Sequence, residues 1–270
     1  MTALILIRGG GDLASGVALR LHHVGLKIVI TELSQPLAVR RLVSFGEAVY
    51  SHRITVEDVT ASFVTTEAEV PAILAIGEIP VLIDPSATIL NSSLPIKVIV
   101  DARMTKRQPD LTMDIAPLVI GLGPGFIPGM NCHTAIETNR GHSLGRVYTK
   151  SKPEADTGTP DTVAHQQAER VLHAPANGVL INHTNICDHL EPGQVIAEVN
   201  GIPIKAPFKG VLRGLLHDGL SIQRGLKIGD LDPRDDPQYC TMVSDKSLAI
   251  GGGVLEAILS PKDLRQQLWS

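Results

Sequence analysis

Leu4-Ile5-Leu6-Ile7-Arg8-Gly9-Gly10-Gly11-Asp12-Leu13-Ala14 is an apolar run that stops at an arginine and passes into a glycine turn. Gly9, Gly11 and Ala14 fit the pattern G-x-G-x-x-A. Leu13, Val17, Ala18, Leu21 and Val24 follow three and four residues apart, which predicts one buried stripe of a helix beginning at Asp12. Gly25 closes that helix, and Ile28-Val29-Ile30 reads as a second short strand. Glu32 then falls about 20 residues beyond the turn, where a dinucleotide fold keeps a ribose-binding carboxylate. Glycines let the chain turn tightly and a pyrophosphate approach the backbone, while N–H groups at a helix start attract the anion. The same turn also fits a plain strand-to-helix connection that binds nothing.

Composition narrows the field. The chain has 270 residues, 43% of them hydrophobic and 19% charged, which is ordinary for a globular protein with a substantial core. A net charge of −4 and the lack of a Lys/Arg block argue against a nucleic-acid or membrane-surface partner. No apolar run reaches the length of a membrane span, and Arg8 with its glycines cuts the first run too early for a signal peptide. Cys132, Cys187 and Cys240 form no C-x-x-C pair and no even framework, which suits a reducing compartment. The expected location is cytoplasmic.

Beyond Glu32, Ser34-Gln35-Pro36 has the residues of a helix start, which would put Arg40 and Arg41 on a helix, either within reach of a phosphate near the end of the second strand or, as is usual for such a charge pair, on a solvated face. Glu67 to Gly77 has helical spacing. Ile79 to Asp84, Ile96 to Asp101 and Leu118 to Gly121 read as further buried strands. Short aliphatic strands alternating with helical stretches predict a Rossmann-like α/β domain with a mainly parallel sheet over residues 1–150. Ligands of such sheets bind beyond the carboxyl ends of the strands. The candidate cofactor-binding residues are therefore Gly9, Gly10, Gly11, Asp12, Leu13, Ala14 and Glu32. Gly123 and Gly125 of a second glycine turn, Gly121-Leu122-Gly123-Pro124-Gly125-Phe126, join them. Asp84 and Asp101 lie at strand ends, where an aspartate commonly caps the next segment. Residues 135–147 read as two short strands joined by a polar turn, in which Glu137, Arg140 and His142 gather an acid, a fixed cation and a near-neutral titrating group. Arg140 and His142 complete the candidate set. No nucleophile accompanies them, so no catalytic residue is assigned.

Residues 151–170, with Pro153, Gly158 and Pro160, read as a linker. After it the sequence repeats. Ala174-Pro175-Ala176-Asn177-Gly178-Val179-Leu180 returns as Ala206-Pro207-Phe208-Lys209-Gly210-Val211-Leu212, an offset of 32 residues (206 − 174 = 32). Gly193 to Val199 returns as Gly225 to Leu231 at the same offset. Two copies are too few for a solenoid, so residues 171–235 should pair into one small β unit. The repeat resembles the biotinyl/lipoyl-like barrel-sandwich hybrid, but its central hairpin, Glu198-Val199-Asn200-Gly201-Ile202-Pro203-Ile204, has no lysine at the tip. A swinging-arm carrier is not expected; a docking module is. His183, Cys187 and His189 are zinc-type residues without a closed-site spacing, so no metal is assigned. Residues 236–270 form a C-terminal helical segment, its helix running from Asp245 to Leu259 with Gly251-Gly252-Gly253 inside it and close packing expected at those glycines.

Several motifs together resemble the YqeB family. They are the run from Gly9 to Gly16, Arg40-Arg41 with Ser44 to Val49, Gly123 to Phe126, Glu137-Thr138 with Arg140-Gly141-His142, Lys227 to Asp230 with Asp232-Pro233-Arg234, and Gly251 to Ala257. The resemblance covers almost the full chain and departs at Asn139. It implies a role beside selenium-dependent molybdenum hydroxylases, as an accessory protein in their maturation. The Rossmann-like part is also similar in kind to the XdhC maturation proteins, which handle molybdenum cofactor. The implied ligand is then NAD(P), another nucleotide, or molybdopterin dinucleotide, since each presents phosphate to a helix start. A molybdenum hydroxylase is the implied protein partner, and a second copy of this chain remains open. An NAD(P)-dependent oxidoreductase, with His142 or Glu137 moving the proton, and a non-catalytic scaffold are the alternatives.

Overall fold

The structure is a computed structural model that describes residues 3–105, 109–110, 112–155 and 169–268. Most of the expected linker, residues 156–168, lies outside the described residues. The chain divides into two compact units, each assembled from separate stretches: Met1–Pro36, Ser44–Thr157 and Val243–Ser270 in the first, Leu37–Val43 and Gly158–Met242 in the second.

The first unit is built on a nine-stranded, mostly parallel sheet. β1 (Leu4–Arg8) is buried along its whole length, as an all-aliphatic strand covered on both faces must be. The helical stripe after it forms α1 (Asp12–His23), and β2 (Lys27–Glu32) returns parallel to β1. An antiparallel hairpin follows, β3 (Arg53–Val56) and β4 (Val59–Val64). Then come α2 (Ala48–Ser51, just before β3), α3 (Val70–Ala75), β5 (Ile79–Ile83), β6 (Ile96–Asp101), β7 (Leu118–Leu122), β8 (Thr134–Ile136) and β9 (Val147–Tyr148). Their spatial order is β3-β4-β5-β2-β1-β6-β7-β8-β9. Every pairing from β4 to β8 is parallel, and only the two edge pairs are antiparallel. The polar turn expected between two strands over 135–147 is the β8–β9 connection.

The C-terminal residues pack into this first unit. α5 (Asp245–Leu259), capped by the Ser244 hydroxyl at the Ser247 amide, lies against α1, and α6 (Lys262–Gln267) follows it. The crossing is tight because glycine faces helix: a Cβ on Gly16 would overlap the Ser247 backbone, and one on Gly251 would sit 2.7 Å from the Gly16 carbonyl oxygen. A Cβ on Gly253 would overlap the Gly145 carbonyl, whereas Gly252 faces open space. Close packing is thus the use of two of the three glycines.

The helix expected from Ser34 is absent. Residues 34–40 are irregular, and Arg41–Val43 form a single 3-10 turn. The cap and proline signals there are local, but the backbone is claimed elsewhere: the Val39 carbonyl accepts the Leu215 amide at 2.9 Å within the second unit. Arg40 is buried rather than solvated and donates to the carbonyls of Tyr239 and Met242 at 2.9 and 2.8 Å. Arg41 donates to the Leu215 carbonyl.

The second unit holds two four-stranded antiparallel sheets. One has the order β10 (Val171–His173), β17 (Lys227–Asp232), β15 (Gly210–Leu215), β12 (His189–Leu190). The other runs β14 (Ile202–Lys205), β13 (Val195–Val199), β11 (Gly178–Asn182), β16 (Ser221–Ile222). The sequence repeat carries β11 onto β15, β12 onto β16 and β13 onto β17, so each sheet mixes strands from both copies. Leu180, Ile196, Val199, Leu212, Ile228 and Leu231 form the shared core. The β13–β14 hairpin turns on Asn200 and Gly201, both at positive φ (52° and 73°), the two-residue turn that Asn-Gly favours. A short helix, α4 (Gln238–Thr241), ends the unit.

Candidate functional site

The glycine turn sits where β1 delivers the chain to α1, at the carboxyl end of the strand. Its three glycines have three different surroundings. Gly9 takes φ +92°, a left-handed conformation that glycine adopts without strain, and a Cβ there would press on the Arg103 backbone at 3.2 Å. Gly10 is locked on both sides. Its amide donates to Glu32 Oε2 at 2.6 Å, its carbonyl accepts the Gly46 amide at 2.8 Å, and a Cβ would lie 2.6 Å from the Gly46 nitrogen. Gly11, the N-cap of α1, has open space where a Cβ would be and caps the helix without a side-chain hydrogen bond. The approach to the helix start is therefore on the Gly11 side.

The wall on the Gly10 side comes from residues 44–47. Ser15 Oγ accepts the Phe45 amide at 2.8 Å and donates to the Gly11 carbonyl at 3.0 Å, tying that segment to the first turn of α1. Ala14 is fully buried, Leu13 is half-buried, and Asp12 accepts a hydrogen bond from the Ser247 hydroxyl at 2.8 Å. Glu32 stands at the end of β2 with Oε1 accepting the Leu33 amide and Oε2 the Gly10 amide. A carboxylate has about four lone-pair sites, so these bonds leave acceptor capacity while fixing its orientation toward the turn.

A charge network adjoins the turn and was missed by the sequence reading. Arg8 ends β1 and Asp101 ends β6, side by side in register. The Arg8 side chain is only 2% exposed, and its guanidinium donates to Asp110 at 2.7 Å and to the Pro85 carbonyl at 3.0 Å. Arg103 forks onto Asp101 (3.0 and 2.6 Å) and onto Asp110 (3.0 and 2.6 Å). The Arg103 hydrogen bonds, with Arg8 adding to them against partial burial, hold the Asp110 carboxyl far below the usual carboxylate range. Burial works against the Arg103 charge, but the two aspartates outweigh it and push the guanidinium still further above its ordinary value. Asp84 serves as a cap, accepting from the Thr88 and Ile89 amides at 2.9 and 2.8 Å.

The second glycine turn is occupied by its own phenylalanine. The Phe126 ring lies where a Gly121 Cβ would be, and a Cβ on Gly123 (φ +77°) would overlap the Thr138 hydroxyl. Gly125 (φ +97°) gives its carbonyl to the Asn131 amide group at 2.9 Å. Glu137 is completely buried and accepts three backbone amides, those of Thr138, Asn139 and Glu154, each at 2.8 Å. Its role here is to build the turn. Arg140 makes a two-pronged pair with Asp245 at 2.6 and 2.9 Å, and His142 is exposed on the turn. The structure thus brings Gly9 to Ala14 and Glu32 together and gives Glu137 and Arg140 partners of their own.

In the second unit, His183 pairs with Glu198 at 3.3 Å and His189 with Asp235 at 2.7 Å. Among the described residues no group of three His, Cys, Asp or Glu side chains is placed to hold a metal ion. Asp230 and Asp232 are buried under three arginines: Arg170 and Arg213 bind Asp230, Arg213 reaches Asp232 at 3.2 Å, and Arg234 forks onto Asp232 at 2.9 and 2.6 Å. Burial pushes the Cys240 thiol up to about 12, with the neighbouring Cys187 thiol adding to it; burial does the same for Cys132, also to about 12.

No family model matches the chain. Among solved structures, an aspartoacylase family protein from Mesorhizobium loti aligns over 85% of this chain and 84% of its own, at 13% identity and a TM-score of 0.26. The ectoine utilization protein EutE (DoeB) from Ruegeria pomeroyi aligns over 85% and 86%, at 8% identity and a TM-score of 0.24. Scores this low carry no argument about site or activity. In sequence, the Escherichia coli (strain K12) uncharacterized protein YqeB is 45% identical over 256 residues, which is 95% of this chain and 47% of that protein. The chain therefore spans about half the length of the curated relative it matches, and by that likeness it belongs to the YqeB family.

Proposed function

We propose that the first unit binds a phosphate-bearing cofactor at the start of α1 and that the protein serves as an accessory factor in maturation of selenium-dependent molybdenum hydroxylases. The observation that carries the binding reading is the Gly11 end of the turn: a helix start without a side-chain cap, open on one side, at the carboxyl end of a central parallel strand. Backbone amides and the helix dipole favour an anion there, and the crevice beyond the strand ends is where ligands of open parallel sheets sit. The parallel strands β5-β2-β1-β6-β7-β8 follow the order 3-2-1-4-5-6 of dinucleotide-binding sheets, which supports reading this unit as Rossmann-like. The ligand is then a nucleotide, NAD(P) included, or molybdopterin dinucleotide, and Glu32 is positioned to meet a ribose hydroxyl.

We read the second unit as a biotinyl/lipoyl-like barrel-sandwich module that docks a partner. Its support is the repeat and the exchange of strands between sheets; a turn of Asn200 and Gly201 where a carrier would present lysine argues against a swinging arm. The partner proposed for it is the hydroxylase. The molybdenum pathway rests on the family resemblance alone.

A thermal-shift panel of NAD(H), NADP(H), ATP, CTP and molybdopterin species tests the binding reading. A ligand at 100 times its dissociation constant adds about 2.7 kcal/mol of stability. The expected result is a shift that Gly11→Trp removes. Stabilisation by nicotinamide nucleotides alone would favour the oxidoreductase, and a flat panel would leave a scaffold. Hydroxylase produced without this protein should lack active cofactor; full activity would overturn the maturation role.

A further inference from the structure

We propose that Arg8 and Arg103 form a phosphate-binding site beside the glycine turn, and that Asp110 occupies it as the protein's own displaceable carboxylate. The proposal rests on the reading that the ligand is seated at the α1 start, and it names the chemistry that side chains add there. Two guanidiniums and two carboxylates meet at the carboxyl ends of β1 and β6, but the two carboxylates are not equivalent. Asp101 is 3% exposed and belongs to the strand, forming a bidentate pair with the part-exposed Arg103. Asp110 is 58% exposed and comes from the connection after β6, yet it is the carboxylate that meets the buried Arg8 charge.

A buried guanidinium without an anion is costly, so something negative must face Arg8 in every state of the protein. Asp110 fills that need by bridging both arginines, and guanidinium forks that take two carboxylate oxygens also take two oxygens of a phosphate. A phosphoryl group carries more charge and more acceptor oxygens than the carboxylate, and Asp110 can turn to solvent when it leaves. The two features adjoin along the backbone, and the proposal assigns both to one diphosphate. Arg8 directly precedes Gly9, the Ala102 amide donates to the Arg8 carbonyl at 2.9 Å, and the Arg103 backbone abuts Gly9.

The test is calorimetric titration of the full chain with inorganic pyrophosphate, comparing wild type, Asp110→Asn, Arg103→Gln and Gly11→Trp. Removing the internal competitor should tighten pyrophosphate binding by at least tenfold, and Arg103→Gln should weaken it by a similar factor. Arg103 is part-exposed, so its variant keeps the test open where a change at the buried Arg8 would unfold the unit. Unchanged affinity in Asp110→Asn would overturn the proposal. If Gly11→Trp abolishes binding while the Asp110 and Arg103 variants behave as wild type, the helix-start reading survives and this inference falls. If Asp110→Asn and Arg103→Gln act as expected while Gly11→Trp does not, the arginine site stands and the helix-start reading falls. An equal gain for citrate at matched ionic strength would overturn the assignment to phosphate.

Discussion

Gly10 and Gly11 are adjacent, yet their surroundings predict different responses to the same added methyl group. At Gly10 the new carbon meets backbone at 2.6 Å, which cannot move aside cheaply, so Gly10→Ala should cost about 1–3 kcal/mol as an overpacked site does. At Gly11 the space is open and φ is −71°, so Gly11→Ala should cost only about 0.5–1 kcal/mol, the amount by which alanine falls below glycine at an N-cap. Urea midpoints of the two variants check this; equal losses would mean that the Gly11 side is closed as well. Asp232 gives a second prediction at this scale. Burial alone would raise its pKa, but the Arg234 hydrogen bonds and the Arg213 charge outweigh that and leave it depressed. A depressed carboxylate contributes stability that is present above the unfolded value, 3.8, and is lost as pH falls from there toward the folded value. Arg234→Gln should lower stability at pH 7 and flatten the loss below pH 4, which urea midpoints against pH would show. Parallel curves would place the titration elsewhere. What the sequence showed at this scale was uneven. The glycine spacing and Glu32 were readable because they lie within one β-α-β stretch, whereas Arg8 looked only like the end of an apolar run. Its partner Asp110 is 102 positions away, and a single sequence carries no sign of such a pairing.

α1 and α5 meet through glycine, and this makes neighbouring positions of one glycine run differ in sign. Gly252 faces open space on an exposed helical surface, so Gly252→Ala should add about 0.5–1 kcal/mol through helix propensity. Gly251→Ala gains the same propensity, but its Cβ would stand 2.7 Å from the Gly16 carbonyl oxygen and 2.8 Å from Arg20 Cγ. A net loss is expected there. Thermal melts of the two variants decide it, and stabilisation by both would show that the helices are not in close contact. At this scale the period of the sequence was informative where one element buries one stripe: β1, α1, β2 and α5 were all legible. The hairpin of β3 and β4 went unread, since β3 is a short, part-polar edge strand and Thr60 and Ser62 interrupt the apolar run of β4. The segment 34–41 was misread because its cap and proline describe a helix start, while its hydrogen bonds are made with residues some 175 to 200 positions later.

Neither unit is a continuous piece of chain, and this limits how the molecule can be cut. Residues 37–43 belong with the duplicated unit, and residues 243–268 with the parallel sheet. The duplication was legible because each repeat copies its strands at a fixed offset; the interleaving was not, because it depends on contacts and not on composition. A fragment ending at residue 155 would carry all nine strands of the large sheet but no α5. That loss uncovers the face of α1 around Gly16 and the Ile136 side chain, which a Cβ on Gly253 would approach to 3.0 Å. It also removes the buried Ile250, Val254 and Ile258, each worth about 1.5–3 kcal/mol when fully buried. With total stabilities of about 5–15 kcal/mol, such a deficit is enough to leave the fragment largely unfolded or loosely packed. It should bind a hydrophobic dye and melt without cooperativity, and a peptide of residues 243–268 added in trans should restore a sharp transition. A fragment as stable as the full chain would mean that α5 is an appendage, and the glycine contacts between the helices would then need another reason.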